Sequence, residues 1–410
     1  MLRERSASSF HSSLPASKPG IASQLGTAGV YVRAVIEVET RLRELSEVAL
    51  RALPLMYDER TGLFSQKALP QGEGLANRGE NAYYSAASMV GILAQKLASP
   101  DSVVPVGRAL DALQAACDES RGAPLLGTTL WAGALAGDSR SARLVEALDR
   151  SLAIEAAESA ALGQVLRGLV AGAEAFPEVR DRALDLGGRC AVELLDRHSA
   201  SSRVFRAMPR RPSGLSTFLG SRISSFASQV YPLLGLASLY GLRGETPPPA
   251  LRQTAELLVD AQGPLGQWWW LYSPGDATVL EGYPVYSVHQ DGMAFMGLLP
   301  VEGLGEGSYR EALGLGLEWL YERNELSISL VQDEPPFICR NIQRVGSDAD
   351  APFGISRANF YRAVARSWRS RSLADRTFAA PEDLEPLREC RSYHLGWCLL
   401  AHALASGDLT

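Results

Sequence analysis

The sequence predicts an all-α protein, an α/α toroid built as a barrel of about five or six helical hairpins. Three observations point there. From Ile36 onward apolar residues recur at three- and four-residue spacing, with few alternating β-branched runs. Clusters of Gly, Pro and Ser cut this pattern into helix-length pieces. The pieces also alternate in character, one kind almost wholly apolar and the other charged on one side.

The apolar kind begins with polar or aromatic residues and carries a small residue in its middle: Asn81 to Gly91, Thr129 to Gly133, Gly163 to Gly168, Ser228 to Gly235, His289 to Gly297 and Tyr393 to Trp397. A helix surrounded by protein has no polar face, so these six are expected to form an inner ring. The charged kind includes Glu37 to Ala49, Ser141 to Ala153, Val179 to His198 and Tyr309 to Glu322, which suit an outer ring in contact with water. The polar leaders of the inner helices would then gather at one rim. An open helical solenoid is the rival architecture and would lack a central pocket. Leu63 to Gly79, Ser199 to Arg222 and Gln332 to Arg357 read as long loops that would cover one mouth of a barrel.

Residues 1–35 are rich in Ser and Arg and poor in acids, and are expected to be a disordered tail. Their composition also resembles that of an organelle transit peptide. Residues 36–410 are expected to form a single domain, since no sharp change of composition divides them. A net charge of −6 argues against general nucleic-acid binding, which needs a basic surface. The five cysteines are widely scattered, without a CxxC pair or zinc-finger spacing, and fit buried thiols in a reducing compartment. No apolar run approaches the roughly 18 residues of a membrane span. A cytoplasmic location is therefore expected.

The richest stretch for chemistry lies between Leu258 and Asp291. Trp268, Trp269 and Trp270 are consecutive, so they point in different directions and cannot all enter one core. An exposed indole offers a face for a sugar ring or a cation. Tyr286 and His289 stand three apart and would share a helix face, where imidazole and phenol can pass protons. Glu281 and Asp291 are carboxylates able to orient or assist them, while Tyr283 and Gln290 offer polar contacts. Arg203, Arg206, Arg210, Arg211 and Arg222 crowd a stretch without acids, as an anion-binding lid would. Arg362, Arg366 and Arg369 fall on one helix face. P-loop, GxSxG and HExxH strings are missing, which leaves nucleotide-dependent and serine-hydrolase readings without support.

The spacing Leu258-x3-Gln262-x3-Gly266-x-Trp268 resembles the C-terminal half of the QW motif of terpenoid cyclases. That family folds as a toroid of helical hairpins, as do protein prenyltransferases, and related α/α barrels serve six-hairpin glycosidases and other carbohydrate-active enzymes. The acidic DxDD signature of class II cyclases is incomplete here, Asp348-Ala349-Asp350 being followed by Ala351. The zinc ligands of the prenyltransferases have no convincing counterpart.

The expected function is a carbohydrate-active enzyme using acid/base chemistry, whether hydrolysis, elimination or epimerisation, on an acidic sugar or polysaccharide. Tyr286, His289, Asp291 and Glu281 would be catalytic. Trp269, Trp270, Tyr283, Gln290, Arg210 and Arg211 would bind substrate, with no metal or other cofactor. The alternatives are a cyclase-like or prenyltransferase-like enzyme acting on an isoprenoid or its diphosphate, which a magnesium (Mg2+) requirement would favour, and a non-catalytic barrel scaffold.

Overall fold

The computed structural model describes residues 21–208, 221–347, 363–367 and 379–407. The helices that build the body are α1 (Ile21–Met56), α2 (Ala82–Ala94), α3 (Val106–Glu119), α4 (Ala123–Ala136), α5 (Arg143–Ser151) and α6 (Ser159–Ala175). They continue with α7 (Arg180–Arg197), α8 (Ala227–Arg243), α9 (Pro249–Asp260), α10 (Ala294–Gly303), α11 (Arg310–Trp319) and α12 (Ser392–Ala405). The even-numbered helices pack each against the next, and α12 closes onto α2. The odd-numbered ones lie outside them, α3 against α2 and α4, α7 against α6, α1 against α12. Six hairpins thus form a closed α/α toroid, and the open solenoid is excluded.

Burial follows the two kinds of sequence. In α4 every residue from Leu125 to Gly133 is buried, and in α8 every residue from Ser228 to Ala237. In α5 only Leu144, Val145 and Leu148 are, a single stripe. The small residues of the inner ring sit where backbones meet. A Cβ on Gly235 would lie 2.6 Å from the Gly163 carbonyl oxygen, and one on Gly396 would lie 2.5 Å from that of Ala87. Only glycine lets these helices approach so closely.

Two expectations change. α1 begins at Ile21, inside the segment assigned to a disordered tail, because the apolar spacing extends further back than Ile36; residues 1–20 lie outside the described residues. Leu63 to Gly79 is not a loop but an antiparallel hairpin, Leu63–Gln71 paired with Gly74–Glu80. Its turn is Gly72-Glu73, with Gly72 at φ +58° as a two-residue hairpin turn requires. Parts of the third expected loop are also strands: Asn341–Arg344 lies between Val285–Tyr286 and Leu384–Leu387 in a three-stranded sheet. These short sheets stand at the end of the barrel where the inner helices begin. No described helix is long and apolar enough to cross a membrane.

Candidate active site

A cavity of about 740 Å³ opens at that end. The N-terminal halves of five inner helices line it with Tyr83 and Tyr84 from α2, Leu125 from α4, Gln164 from α6, Tyr231 from α8 and Tyr393 from α12. Leaders of five of the six apolar segments therefore meet at one rim; Thr129 does not, because α4 already begins at Ala123 and brings Leu125 there instead. One turn deeper Trp131 stacks on Trp397 at 6.1 Å, and the Arg167 guanidinium lies 4.5 Å from the centre of the Trp131 ring. Burial lowers the Arg167 pKa to about 10.

His289 begins a π-helical turn, His289–Met293, that leads into α10 and places its imidazole in the cavity wall. The ring is held between Trp270 (4.9 Å, interplanar angle 17°) and Phe226 (4.6 Å). Its Nδ1 lies 3.3 Å from the Trp268 carbonyl oxygen, so Nδ1 carries the proton and donates it there. That assignment makes Nε2 the basic nitrogen, and Nε2 has no hydrogen-bond partner. Desolvation lowers the His289 pKa to about 3, keeping the ring neutral. Tyr286 stands beside it, ring centres 5.3 Å apart, and makes an edge contact with Trp270. Burial pushes the Tyr286 phenol up to about 12, against the pull of Arg340 and Arg391.

The positive charge of the cavity comes from chain segments far away in sequence. The sheet pairs Asn341 with Tyr286, and the Ser287 N–H donates to the Arg340 carbonyl. This brings the Arg340 guanidinium 5.5 Å from the centre of the Tyr286 ring. A bridge between Ala68 and Cys390 sets Lys67 beside Glu389 and Arg391. Glu389 is 2% exposed. It accepts from Arg340 at 2.9 Å and Arg391 at 2.6 Å, with the Lys67 ammonium 3.6 Å away. Lys67, Arg340 and Arg391 all line the cavity. Glu158 is the only acid among its described lining residues. No group of His, Cys, Asp and Glu suited to a metal ion is found among the described residues.

The other expected site residues stand elsewhere. Trp270 lines the cavity, but Trp269 is buried against Gly263. Glu281 is 2% exposed and paired with Arg366 (3.1 Å) and Arg344 (3.4 Å), away from the cavity, so Arg366 serves an internal ion pair. Asp291 turns between α10 and α12 to His394, 2.8 Å from its Nε2. Burial raises the Asp291 pKa and His394 opposes the rise. The Tyr283 hydroxyl donates to Glu325 at 2.9 Å. Gln290, with its amide oriented to satisfy both neighbours, donates to the Gly266 carbonyl at 3.0 Å and accepts from the Trp268 N–H at 3.1 Å. It thus braces the loop whose Gln262 binds the Gly266 and Ala312 carbonyls. Arg210, Arg211, Asp348, Asp350, Arg362 and Arg369 lie outside the described residues, while Arg203 pairs with Asp260.

The pattern missed Lys67, Arg340, Glu389 and Arg391. Only the run Arg388-Glu389-Cys390-Arg391 before an inner helix hinted at them, and strand pairing alone brings them together.

No protein-family model matches the chain, and no curated protein matches it. Solved structures do. A possible member of the GH105 family from Klebsiella pneumoniae has a TM-score of 0.56 at 10% identity, with 89% of this chain and 92% of that one covered. A sugar epimerase from a ruminal bacterium has a TM-score of 0.53 at 8% identity, covering 80% of this chain and all of that one, 100%. An unsaturated glucuronyl hydrolase variant from Streptococcus agalactiae has a TM-score of 0.51 at 10% identity, covering 89% and 90%. What the chain shares with these enzymes is the α/α-toroid fold.

Proposed function

We propose that the chain is an enzyme that acts on an acidic sugar or polysaccharide by acid/base chemistry, in the class of hydrolysis, elimination or epimerisation. The observation that carries this reading is one cavity holding a neutral imidazole with its Nε2 unpartnered, a phenol beside it, and a cationic wall. His289 and Tyr286 exchange protons with the substrate. Trp270, Tyr84 and Tyr393 offer ring faces, the last two 4.4 Å apart. Arg340 and Arg391 are the cations we assign to the acidic group. Gln66, Gln164 and Glu158 add hydrogen-bonding groups to the wall, which suit hydroxyls better than a hydrocarbon chain. Against this stands the isoprenoid reading, for which no described carboxylate cluster offers a magnesium site. The carbohydrate chemistry of the epimerase and hydrolases that share the fold supports the proposal.

The test is turnover of a panel of uronic-acid and neutral polysaccharides by the wild type and by His289→Asn. Loss of a general acid or base slows such reactions by about 10²–10⁴-fold. The proposal expects turnover of an acidic polymer, that loss in the variant, and a melting temperature within a few degrees of the parent. Turnover of neutral polymers alone would remove the acidic substrate, and unchanged turnover by His289→Asn would remove His289 from the chemistry.

A further inference from the structure

Resting on that reading, we infer that the reaction is a β-elimination on a uronic acid, in which Arg340 and Arg391 bind the carboxylate and His289 and Tyr286 work on the adjoining carbon and the bond beyond it. The three reaction classes left open above make different charge demands, and the cavity meets one of them.

Glycoside hydrolysis builds positive charge on the sugar ring and ordinarily uses two carboxylates about 5–9.5 Å apart. The described lining supplies a single acid, Glu158, and Glu389 behind that lining is committed to Arg340 and Arg391. Lys67, Arg340 and Arg391 would oppose a cationic transition state. Removing the proton from the carbon next to a carboxylate does the reverse, for it pushes a second negative charge onto the carboxyl oxygens. Donors already in place where that charge develops are what such a step needs, each worth about 10²–10³ in rate. Glu389 holds two guanidiniums in fixed positions without reaching into the cavity itself.

The geometry follows the same order. Arg340 lies 5.5 Å from the Tyr286 ring centre, and Tyr286 lies 5.3 Å from His289. A carboxylate on Arg340 therefore puts its neighbouring carbon over the phenol and imidazole. The C5–H bond of the uronate breaks and its proton passes to His289 Nε2, where the negative charge developing on the sugar offsets the desolvation that otherwise keeps the imidazole neutral. The electron pair forms the C4–C5 double bond, the C4–O bond breaks, and the departing oxygen takes the proton of the Tyr286 hydroxyl. One chain becomes two, one of them ending in an unsaturated uronate. No water, oxidant or cofactor is consumed, and proton return from imidazolium to phenolate restores both groups. Because both come from one short segment, they meet the sugar from the same wall, which gives elimination rather than reprotonation from the opposite face.

The experiment is cleavage of polygalacturonate, alginate and hyaluronan by the whole protein in ¹⁸O-labelled water, read by mass spectrometry and by the ultraviolet absorbance of the conjugated double bond. Elimination expects unsaturated ends without ¹⁸O, a kcat lowered about 10²-fold or more by Arg340→Ala, and partial recovery with Arg340→Lys. The melting temperature of each variant separates this from unfolding. Saturated products carrying ¹⁸O would overturn elimination while leaving an acid/base carbohydrate enzyme. Deuterium uptake at C5 from D2O without cleavage would also overturn it, in favour of epimerisation. Turnover of nothing in the panel would overturn both readings.

Discussion

His289 is kept neutral by the aromatic rings around it, and that has a cost at low pH. Its pKa falls from 6.5 in an open chain to about 3 in the fold. Between those values the unfolded chain binds a proton that the folded chain refuses. This contribution to stability is full above about pH 6.5 and is lost as the pH falls toward 3. Asp291 acts in the other direction, since its raised pKa favours the folded state as the pH drops toward the ordinary carboxylate value. Melting curves of the wild type and His289→Asn from pH 7 to pH 4 are expected to diverge, the variant losing less stability on acidification. Parallel curves would mean that His289 binds its proton equally well in the folded and unfolded chain, contrary to the desolvation argument. Glu389 makes a second residue-scale case. Glu389→Gln leaves two largely buried guanidiniums without their shared anion, and breaking such a pair costs about 3–5 kcal/mol. Denaturant unfolding of the variant checks this, and a loss below about 1 kcal/mol would show that water already relieves the cluster.

At the scale of elements, the inner helices depend on small residues where they cross. An alanine in a helix is ordinarily better than glycine by about 1 kcal/mol. At Gly235 the new Cβ would press on the Gly163 carbonyl 2.6 Å away, with no flexible side chain able to yield. Gly235→Ala is therefore expected to destabilise by about 1–3 kcal/mol, the usual penalty of overpacking, and Gly303→Ala, which meets nothing within 4 Å, is not. Equal effects at the two sites in urea unfolding would refute the packing argument. These elements were legible in the sequence because continuous burial and stripe burial leave different patterns, as α4 and α5 do. The hairpin after α1 was not. Its strands lack a sustained apolar–polar alternation and carry Pro70, and they are stabilised by pairing with each other and with Cys390.

At the scale of the molecule, the ring is closed by α12, which lies between α10 and α2 and also packs on α1. A chain ending at Arg391 would open the barrel and expose the inner faces of three helices at once. We expect that truncation to lose cooperative thermal unfolding altogether. In an open solenoid the remaining repeats would keep most of their stability, so a sharp transition in the truncated protein would contradict a closed ring. Closure also explains why the cavity exists, since five inner helices contribute residues near their N-terminal ends and the π-helical turn leading into α10 supplies His289.

By itself the sequence determined the all-α class, the alternation of inner and outer helices and the gathering of polar leaders at one rim, because periodicity and burial are local properties of each segment. It also marked Tyr286, His289 and Trp270, whose density in one stretch is visible without a fold. Tertiary structure decided which partners those residues have. It turned Glu281 toward Arg344 and Arg366, Asp291 toward His394 and Gln290 toward the Gly266 loop, and it set Lys67, Arg340 and Arg391 around Glu389 beside the phenol. Residues as far apart as Lys67 and Arg391 meet only through strand pairing at the mouth of the barrel, and pairing between distant segments leaves no periodic trace in either one.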